Sequence, residues 1–478
     1  MRIAMVASEI NPLIKTGGLA DVIYALSQEL RKVGDDVICV LPFYKKIARS
    51  GKCEYKYIGS FDVKMGWRCQ SAQIYEAKVN GLPFYMVGND YYFGRDGVYG
   101  YDDDGERFAF FTLASHALFD FIDFTPDIVH VHDWQSGMLP VLIRMKSGHN
   151  PRFSRTRTVL TIHNPAFKGY LGREALGDLY NLPEELYDNG SVRFEGMVST
   201  LKAGIVYSDK ITTVSPEHAK ELLTPELSQG LNGVLEYRRN DFFGIVNGID
   251  EEEWDSMKDK KLAEHFSVRN FISGKKGNRK ELCRIAGLKD NGGPMFGLVS
   301  RLTYQKGIDL CIAVGRGILE RGGMMVFLGS GEYELEQGLE KLRADFPDTC
   351  SVYIGYSDDR AHLIYAASDF FLMPSLFEPC GIGQMVAERY GALPIARDTG
   401  GLHDTIVSYT GSNEDEANGF LFRDYDYGGL NYGVHEAERV FRDKAVFRAM
   451  QKNAMNTDNG WASSAHLYRG MYLELVNR

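Results

Sequence analysis

The chain of 478 residues is poor in cysteine, has no long hydrophobic run and carries no excess of positive charge. Its 7 cysteines are an odd number and include no CxxC pair, which argues against a disulfide framework and against a zinc site. No apolar run approaches the length of a membrane span. A formal net charge of -10 disfavours nucleic acid as the main partner, so an anionic ligand would need cations gathered locally.

Size and composition are those of a globular protein with more than one hydrophobic core. Hydrophobic residues make up 44% and charged residues 25% of a chain too long for one ordinary domain, so two domains are expected. The opening residues MRIAMV lead directly into a strand pattern, and no small-residue cleavage site follows them. We therefore expect a soluble cytoplasmic protein without a membrane partner. These features do not fix its oligomeric state.

Short apolar runs alternate with helical patterns along almost the whole chain. This alternation predicts parallel sheets covered by helices on both faces, and hence an α/β fold with two doubly wound, Rossmann-like domains. The predicted strands are residues 3–7, 36–41, 84–87, 128–132, 158–162 and 210–214, then 243–246, 295–299, 324–328, 351–354, 369–373 and 393–396. In such sheets ligands bind beyond the carboxyl ends of the strands.

The domain boundary is expected just before the predicted strand 243–246, which would open the second series. This gives an N-terminal domain of residues 1–243 and a C-terminal domain of residues 244–459. Residues 251–280 are charged and weakly patterned, which predicts a surface excursion of the second domain.

The end of the chain, about 460–478, has a helical pattern. Its docking site is not evident from periodicity. The apolar face predicted for this helix is Leu467, Met471, Leu473 and Leu475.

A glycine turn follows the first strand, in the segment KTGGLADV at residues 15–22. It is neither GxGxxG nor a P-loop, because its lysine precedes the glycines. Gly17 and Gly18 let the backbone approach a ligand closely, and Lys15 adds a point charge for a phosphate. Asp21, in the first helical turn, is open to two interpretations, a partner of the helix dipole or a ligand contact.

Two further turns carry charge at predicted strand ends. In VSRLTYQKG, residues 299–307, Arg301 and Lys306 suit a diphosphate, the alternative being a solvated basic loop. In SLFEPCGIGQ, residues 375–384, Glu378 stands beside a helix start whose free N–H groups suit an anion, or is simply a solvated acid in a strand–turn–helix connection.

Polar and aromatic residues follow two strands of the first half. His130 and His132 alternate on a strand, yet no third soft ligand lies close in sequence, which disfavours a metal site. Asp133 and Trp134 follow them and suit sugar recognition, an apolar ring for the pyranose and polar atoms for its hydroxyls. His163, next to Asn164, fits either a structural histidine or a polar pocket wall, and its neighbour favours the wall.

The acidic run at residues 102–104 is similar to the metal-binding carboxylates of metal-dependent nucleotide-sugar enzymes. A site that neutralises phosphate with arginine and lysine needs no metal. We interpret the run as a solvated loop without a role, and we expect neither a metal nor another cofactor.

Together these segments resemble the glycogen and starch synthases, retaining glycosyltransferases of the GT-B fold. The matching segments, in the family's order, are KTGGLADV at 15–22, HDWQSG at 132–137, TIHN at 161–164, VNGID at 246–250, VSRLTYQKG at 299–307, FEPCG at 377–381 and RDTGGLHDT at 397–405. The resemblance spans almost the whole chain. Departures at Ala20, Pro165 and Gly383 remove no charged position.

The resemblance implies roles for individual residues in a cleft between the two domains, the first on the acceptor side and the second on the donor side. It implies catalytic roles for Glu378, His163, Arg301 and Lys306. It implies donor contacts from Lys15, Gly17, Gly18, Asp21, Asn247, Arg301, Lys306, Tyr356, Cys380, Gly381, Ile382 and Gly383, with Tyr356 stacking on the base. It implies sugar and acceptor contacts from Asp133, Trp134, Asn164 and Glu378. The helix at about 460–478 would cross back to the first domain.

The activity implied is transfer of glucose from ADP-glucose to the non-reducing end of an α-1,4-glucan, with retention and release of ADP. A UDP-glucose donor stays open, because base choice depends on contacts around Tyr356 that the sequence does not rank. An epimerase or a phosphorylase is an alternative, but no segment marks the lysine that a phosphorylase needs for pyridoxal phosphate. A non-catalytic glucan-binding protein would need no cations at positions 15, 301 and 306.

Overall fold

The computed structural model describes residues 1–146 and 150–477. The chain divides into two units, one of residues 1–247 with 461–478 and one of residues 248–460. No helix of the described ranges has the length and hydropathy needed to cross a lipid bilayer. Each unit is built on a largely parallel sheet, as the alternating pattern predicts.

The first unit contains a large sheet and a small one. Its strands are β1 Arg2–Val6, β2 Asp36–Pro42, β3 Tyr55–Met65, β4 Arg68–Val79, β5 Leu82–Gly88, β6 Ile128–His132, β7 Arg157–Ile162, β8 Tyr170–Leu171, β9 Arg193–Phe194, β10 Met197–Ser199, β11 Lys210–Thr213 and β12 Phe242–Gly244. In the described residues the large sheet has the order β12-β11-β7-β6-β1-β2-β5-β4-β3. It is parallel from β12 to β5, and β4 and β3 continue it as antiparallel strands.

One predicted strand lies in a different sheet from the one expected. The pattern at residues 243–246 was expected to open the second domain, but Phe242–Gly244 pairs in parallel with β11 and forms the edge of the first sheet. A short apolar run indicates a strand and contains no information about which sheet accepts it. The antiparallel strands β3 and β4 were not predicted, because their polar and aromatic residues follow no continuous apolar pattern.

Helices cover this sheet. They are α1 Gly18–Lys32, α2 Lys45–Ser50, α3 Asp90–Phe93, α4 Asp104–Phe121, α5 Asp133–Ser136, α6 Leu139–Lys146, α7 Ala175–Asp178, α8 Glu185–Asp188, α9 Thr200–Tyr207, α10 Pro216–Glu221 and α11 Asn232–Tyr237. The first helix has a buried face of Leu19, Val22, Ile23, Leu26 and Leu30, spaced as an amphipathic helix requires.

The acidic run at 102–104 is more ordered than a solvated loop. Asp103 accepts two hydrogen bonds of 2.5 Å from Arg95, and Asp104 begins α4 and forms an ion pair with the buried Arg107. The solvated-loop prediction is therefore wrong for these two residues. A carboxylate is favoured both by the helix N-terminus and by a buried guanidinium, which is why the acids lie here.

In the second unit the described strands form one parallel sheet. They are β13 Met295–Val299, β14 Met324–Gly329, β15 Cys350–Ile354, β16 Phe370–Met373, β17 Leu393–Arg397 and β18 Phe420–Phe422, in the order β15-β14-β13-β16-β17-β18. Its helices are α12 Phe271–Ala286, α13 Ile308–Glu320, α14 Tyr333–Asp345, α15 Asp358–Ala367, α16 Gly383–Arg389, α17 Gly400–Thr405, α18 Tyr427–Arg442 and α19 Lys444–Asn456.

Part of the predicted surface excursion at 251–280 is a packed helix. Helix α12 lies against α15, and its Lys275 is only 7% exposed. The Lys275 ammonium donates to the carbonyl oxygens of Ala366 at 3.0 Å and Tyr390 at 2.8 Å, at the ends of α15 and α16. Cations are favoured at helix C-termini, where carbonyl groups lack partners. Burial lowers the pKa of Lys275 to about 7.

The last helix, α20 Trp461–Val476, belongs to the first unit and packs on α1. Its buried face differs from the predicted one, because Leu467 and Leu473 are exposed while Tyr468 and Tyr472 are fully buried. The Tyr472 hydroxyl lies 2.6 Å from Nδ1 of His130, and this partner makes a tyrosine acceptable in the core. Arg478, at the end of the predicted helix, lies outside the described residues.

Lys275→Met is expected to lower the free energy of unfolding by about 1–3 kcal/mol, because two buried carbonyl oxygens lose their donor. The pKa of Lys275 is about 7 in the folded chain and 10.5 as the ordinary value. Between these pH values the Lys275 amine therefore binds its proton in the unfolded chain and loses it in the folded chain. The wild type therefore gains stability as pH rises from about 7 to about 10, and the variant lacks this gain. Urea unfolding at several pH values measures both effects, with the exposed neighbour Lys276→Met as the control. Equal pH slopes would contradict the prediction.

Candidate functional site

In the large sheet of each unit the strand order changes direction beside the strand that starts the series. In the second unit the chain places β14 and β15 on one side of β13 and β16, β17 and β18 on the other. The loops after β13 and β16 therefore diverge and leave a crevice at the carboxyl ends of these strands. In the first unit the corresponding change lies between β1 and β6. The candidate residues of each unit follow these strands.

Lys306 and Glu378 meet at the crevice of the second unit. Lys306 follows β13 and Glu378 follows β16, and the Lys306 Nζ lies 2.5 Å from Glu378 Oε2. The same oxygen accepts a hydrogen bond of 3.0 Å from the Ser375 hydroxyl. Glu378 is only 7% exposed, so its charge is compensated by a partner as buried acids require. Sequence reasoning missed Ser375, whose position three residues before Glu378 was the available signal.

Arg301 lies at the end of β13 with an exposed guanidinium. It donates to the side-chain oxygen of Gln305 at 3.3 Å, and Gln305 in turn donates to the Phe377 carbonyl at 3.4 Å. In the part of the chain that the structure describes, no carboxylate pairs with Arg301. The Arg301 guanidinium is therefore available to bind an anionic ligand beside the Lys306–Glu378 pair.

Two glycines of the RDTGG segment, Gly400 and Gly401, pack against the backbone of the segment that carries Glu378. The sequence alone indicated no role for them. A side chain at Gly400 would place a Cβ 2.1 Å from the Glu378 carbonyl oxygen, and one at Gly401 would lie 2.1 Å from that of Cys380. Only glycine permits this contact between backbones. Cys380 is buried, and Gly381, which adopts a φ of 70°, leads into the α16 start.

Of the remaining predicted donor residues of this unit, Ile382 and Tyr356 are exposed and Gly383 is partly buried. Ile382 is exposed and Gly383 begins α16, where backbone N–H groups lack intrahelical partners. Tyr356 follows β15 and is 87% exposed, so both faces of its ring are free to stack. The Ser357 hydroxyl accepts from the Arg360 N–H at 3.4 Å and caps the helix after Tyr356.

In the first unit the glycine turn after β1 lies at the strand-order change. Lys15 Nζ lies 2.6 Å from Asp21 Oδ2, and Asn11 donates to the other Asp21 oxygen at 3.1 Å. Asp21 is thus a partner of Lys15 rather than a cap of α1. A Cβ at Gly18 would meet nothing within 4 Å, so packing within the protein does not demand a glycine there. The open space leaves room for a ligand to approach the backbone closely.

A buried acid that the sequence did not single out supports this turn. Glu9 is buried and accepts a short hydrogen bond from the Thr16 N–H, directly beneath the glycines. Its burial raises the pKa of the carboxyl, while the bonds from the turn lower it. Glu9 lies six residues before Lys15, and this spacing matches no sequence motif, so the sequence did not indicate Glu9.

Asp133 anchors the loop that carries His163. Its Oδ1 accepts from the N–H groups of His163 at 2.7 Å and Asn164 at 3.2 Å. Asp133 is buried, has a φ of 54° that non-glycine residues rarely adopt, and burial raises its pKa to about 7. The surrounding contacts hold this strained backbone in place, which makes Asp133 a candidate functional residue.

Three histidines form an uncharged group in which His130 stacks on His132 and the ring of His163 is tilted by 39° to that of His132. His130 contacts hydroxyls with both ring nitrogens, of Tyr472 and Thr161, each at 2.6 Å, which leaves neither nitrogen for a metal. His163 Nε2 lies 3.1 Å from Nδ1 of His132. Burial lowers the pKa of His163 to about 3, so its imidazole is neutral near pH 7.

The other predicted residues of this unit differ in exposure. Trp134 is partly buried, and the edge of its ring packs on Phe108 with centroids 5.2 Å apart. The side chain of Asn164 is exposed. Asn247 is buried, and its side-chain oxygen has no hydrogen-bond partner within the described residues. A buried amide oxygen without a partner is costly unless a ligand supplies one.

Comparisons with known proteins give one family. Residues 2–237 match the family model of the starch synthase catalytic domain, and residues 260–454 match that of glycosyl transferases group 1. A glycogen synthase of Anoxybacillus flavithermus is 42% identical over 477 residues, covering 100% of this chain and 98% of that protein. One of Clostridium beijerinckii is 42% identical over 480 residues and covers 100% of both.

Solved structures agree with these relatives. The catalytic domain of starch synthase IV from Arabidopsis thaliana, bound to ADP and acarbose, is similar with a TM-score of 0.89 and 31% identity, covering 100% of this chain and 99% of that one. A sucrose-phosphate synthase from Thermosynechococcus elongatus, with a TM-score of 0.60 and 17% identity, shows the fold alone. The family and the fold class predicted from the motifs are confirmed. The chain therefore belongs to the glycogen and starch synthase family of glycosyltransferases, with the GT-B fold.

Proposed function

We propose that this chain is a glycogen synthase that transfers glucose from ADP-glucose to the non-reducing end of an α-1,4-glucan, with retention of configuration and release of ADP. The observation that carries the proposal is the Lys306–Glu378 pair beside the open guanidinium of Arg301, at the strand-order change of the second unit. The glycogen synthase relatives and the ADP-bound starch synthase support the donor and acceptor classes.

The bond that breaks joins the anomeric carbon of glucose to the diphosphate. Its electrons leave with the phosphate oxygen, so negative charge grows on that oxygen and positive charge on the sugar ring. Arg301 and Lys306 stabilise the oxygen, and stabilisation of this kind is usually the largest contribution a protein makes. The Glu378 carboxylate stabilises the positive charge that grows on the sugar ring. Its contact with Lys306 compensates the charge of this buried carboxylate.

Retention follows from attack on the same face as the departing phosphate, whose oxygen accepts the proton of the acceptor hydroxyl. Glu378 then binds sugar hydroxyls and forms no bond to the sugar. Trapping of a covalent glucosyl–Glu378 adduct would contradict this mechanism. His163, neutral near pH 7, contributes hydrogen bonds to the sugar rather than a charge.

The base and the phosphates take the remaining contacts. Tyr356, exposed on both faces, stacks on the adenine, and the N–H groups around Gly381 and Gly383 approach the diphosphate. Lys15, which pairs with Asp21 in this structure, contributes a point charge to the donor phosphates. We propose a cytoplasmic location, which is supported by the seven cysteines, all described and all free thiols.

Arg301→Ala and Lys306→Ala are each expected to lower kcat by about 10²–10³-fold, because each removes a stabilising cation from the transition state. Turnover is measured as ADP release at saturating substrates, and circular dichroism confirms the fold. Lys341→Ala, which removes an exposed lysine of α14, is the control and should behave as wild type. The double variant Lys306→Ala/Glu378→Gln restores charge balance in the pocket. If that variant recovers turnover, the loss in Lys306→Ala comes from the unpaired buried carboxylate, and the roles assigned to Lys306 and Glu378 are both wrong.

The donor is tested by nucleoside diphosphate release from ADP-glucose and from UDP-glucose, each with and without glycogen. Release from ADP-glucose is expected only when glycogen is present, because the acceptor hydroxyl supplies the attacking oxygen. Faster release from UDP-glucose would make UDP-glucose the donor. Equal release without glycogen would identify a hydrolase and contradict the proposal.

Asp133 predicts a pH dependence of activity. Its pKa of about 7 lies above the ordinary 3.8, so the carboxyl is neutral in the folded chain between these values and ionises as pH rises through about 7. The carboxylate accepts from the His163 and Asn164 N–H groups more strongly than the acid does. We expect kcat/KM to rise through pH 7 in the wild type and to stay flat in Asp133→Asn, which keeps the acceptor oxygen but cannot ionise. A rise of equal size in both would assign the dependence to another group.

A further inference from the structure

A histidine and two carboxylates meet at the start of helix α15, in a group named here the α15 cluster: Glu253, Asp358 and His362. One ligand atom from each residue lies within 4.8 Å of those from the other two. Asp358 and His362 are one helical turn apart on α15, and Asp358 Oδ1 lies 3.6 Å from His362 Nε2. All three residues belong to the second unit, and none belongs to the set assigned to glucose transfer.

Packing fixes the ring of His362 in this cluster. The ring is fully buried and stacks on the Trp254 indole with centroids 3.9 Å apart and planes at 13°. Its Nδ1 lies 2.7 Å from Asp259 Oδ2, which also accepts a hydrogen bond of 2.6 Å from the Tyr390 hydroxyl. Because a carboxylate accepts hydrogen bonds, Nδ1 is the protonated nitrogen, and Nε2 is the one turned toward the cluster.

A lysine contacts two members of the α15 cluster. The Nζ of Lys261 lies 3.1 Å from His362 Nε2 and forms an ion pair with Asp358. An ammonium only donates hydrogen bonds, so Nε2 is the acceptor and presents its lone pair to a cation. A carboxylate behind Nδ1 and a lone pair in front at Nε2 are the arrangement found in metal-binding histidines. The ammonium of Lys261 therefore stands in for a metal ion among these ligands.

We propose that the α15 cluster binds Zn²⁺, with the side chain of Lys261 displaced into solvent. One imidazole nitrogen and two carboxylate oxygens suit Zn²⁺, and three protein ligands leave its fourth position to water. Two ligands of a tetrahedral zinc ion lie about 3.4 Å apart when the bonds are about 2.0–2.1 Å long. The separation of 3.6 Å between Asp358 Oδ1 and His362 Nε2 is close to this value. Two positive charges also balance both carboxylates, which the single charge of an ammonium does not.

Lys261 makes this a site in which the ion competes with an attached cation. The Lys261 side chain is 28% exposed, so it reaches solvent without rearrangement of the backbone. Zn²⁺ binds when its concentration is high enough to replace the ammonium. The bound ion then joins the first turn of α15 to the turn that carries Glu253, and the folded chain gains stability by mass action.

The test is isothermal titration calorimetry of the full chain with Zn²⁺. We expect Glu253→Gln and Asp358→Asn each to weaken binding at least about tenfold, because each removes a ligand. Lys261→Met is expected to strengthen binding about tenfold, because the competing ammonium is gone. Asp359→Asn, which removes the exposed acid next to Asp358, is the matched control and should bind as the wild type does. Circular dichroism checks the fold of each variant.

Co²⁺ in place of Zn²⁺ reports the ligands directly, because thiolate ligation adds intense near-ultraviolet bands to its visible spectrum. We expect visible bands without thiolate bands, and stronger bands in Lys261→Met at the same Co²⁺ concentration. Thiolate bands would overturn the proposal and assign the ion to the free cysteines. Absence of Zn²⁺ binding by the wild type, or equal affinity in Asp358→Asn and Lys261→Met, would also overturn it and leave Lys261 a structural ion pair. These measurements need no turnover, so they stand apart from the proposed activity.

Discussion

The strand that starts each parallel sheet sits in the middle of that sheet, and the arrangement of both candidate sites follows from this constraint. The chain adds strands first on one side and then on the other, so the loops at the carboxyl ends diverge beside the starting strand. Lys306 and Glu378, 72 residues apart in sequence, come into contact there. In the first unit the turn of Lys15 and the loop of Asp133 follow the two strands at the equivalent change.

Much of the fold is predictable from local patterns, and the failures have identifiable physical causes. Buried parallel strands are continuous apolar runs, so β6 and β13 were predicted with their observed bounds. The exposed antiparallel strands β3 and β4 lack such runs. Lys275 looked like part of a charged surface, because the two carbonyl oxygens that accept hydrogen bonds from it belong to helices distant in sequence. Tyr472 is buried with its hydroxyl beside His130, a partner that periodicity does not contain.

For the candidate site, the sequence predicted which turns lie at the carboxyl ends of neighbouring strands and not how their side chains pair. Strand ends and glycine turns can be identified locally, so Arg301, Lys306 and Glu378 were placed beside one crevice. The contact of Ser375 with Glu378, and of Glu9 with Thr16, depends on how loops close on each other. The packing of Gly400 and Gly401 on the backbone of Glu378 and Cys380 depends on two loops from different strands.

The Lys275 ammonium donates hydrogen bonds at the C-terminal ends of two helices, α15 and α16, that begin beside the proposed donor contacts. Helix α15 starts just after Tyr356 and helix α16 just after Gly381, and both finish on the Nζ of Lys275. Under the proposed function, the contacts to the adenine and to the phosphates therefore belong to elements that share one buried cation. Under the proposed function, loss of the Lys275 ammonium would loosen both helices together, so the contacts to the base and to the phosphates would weaken at the same time.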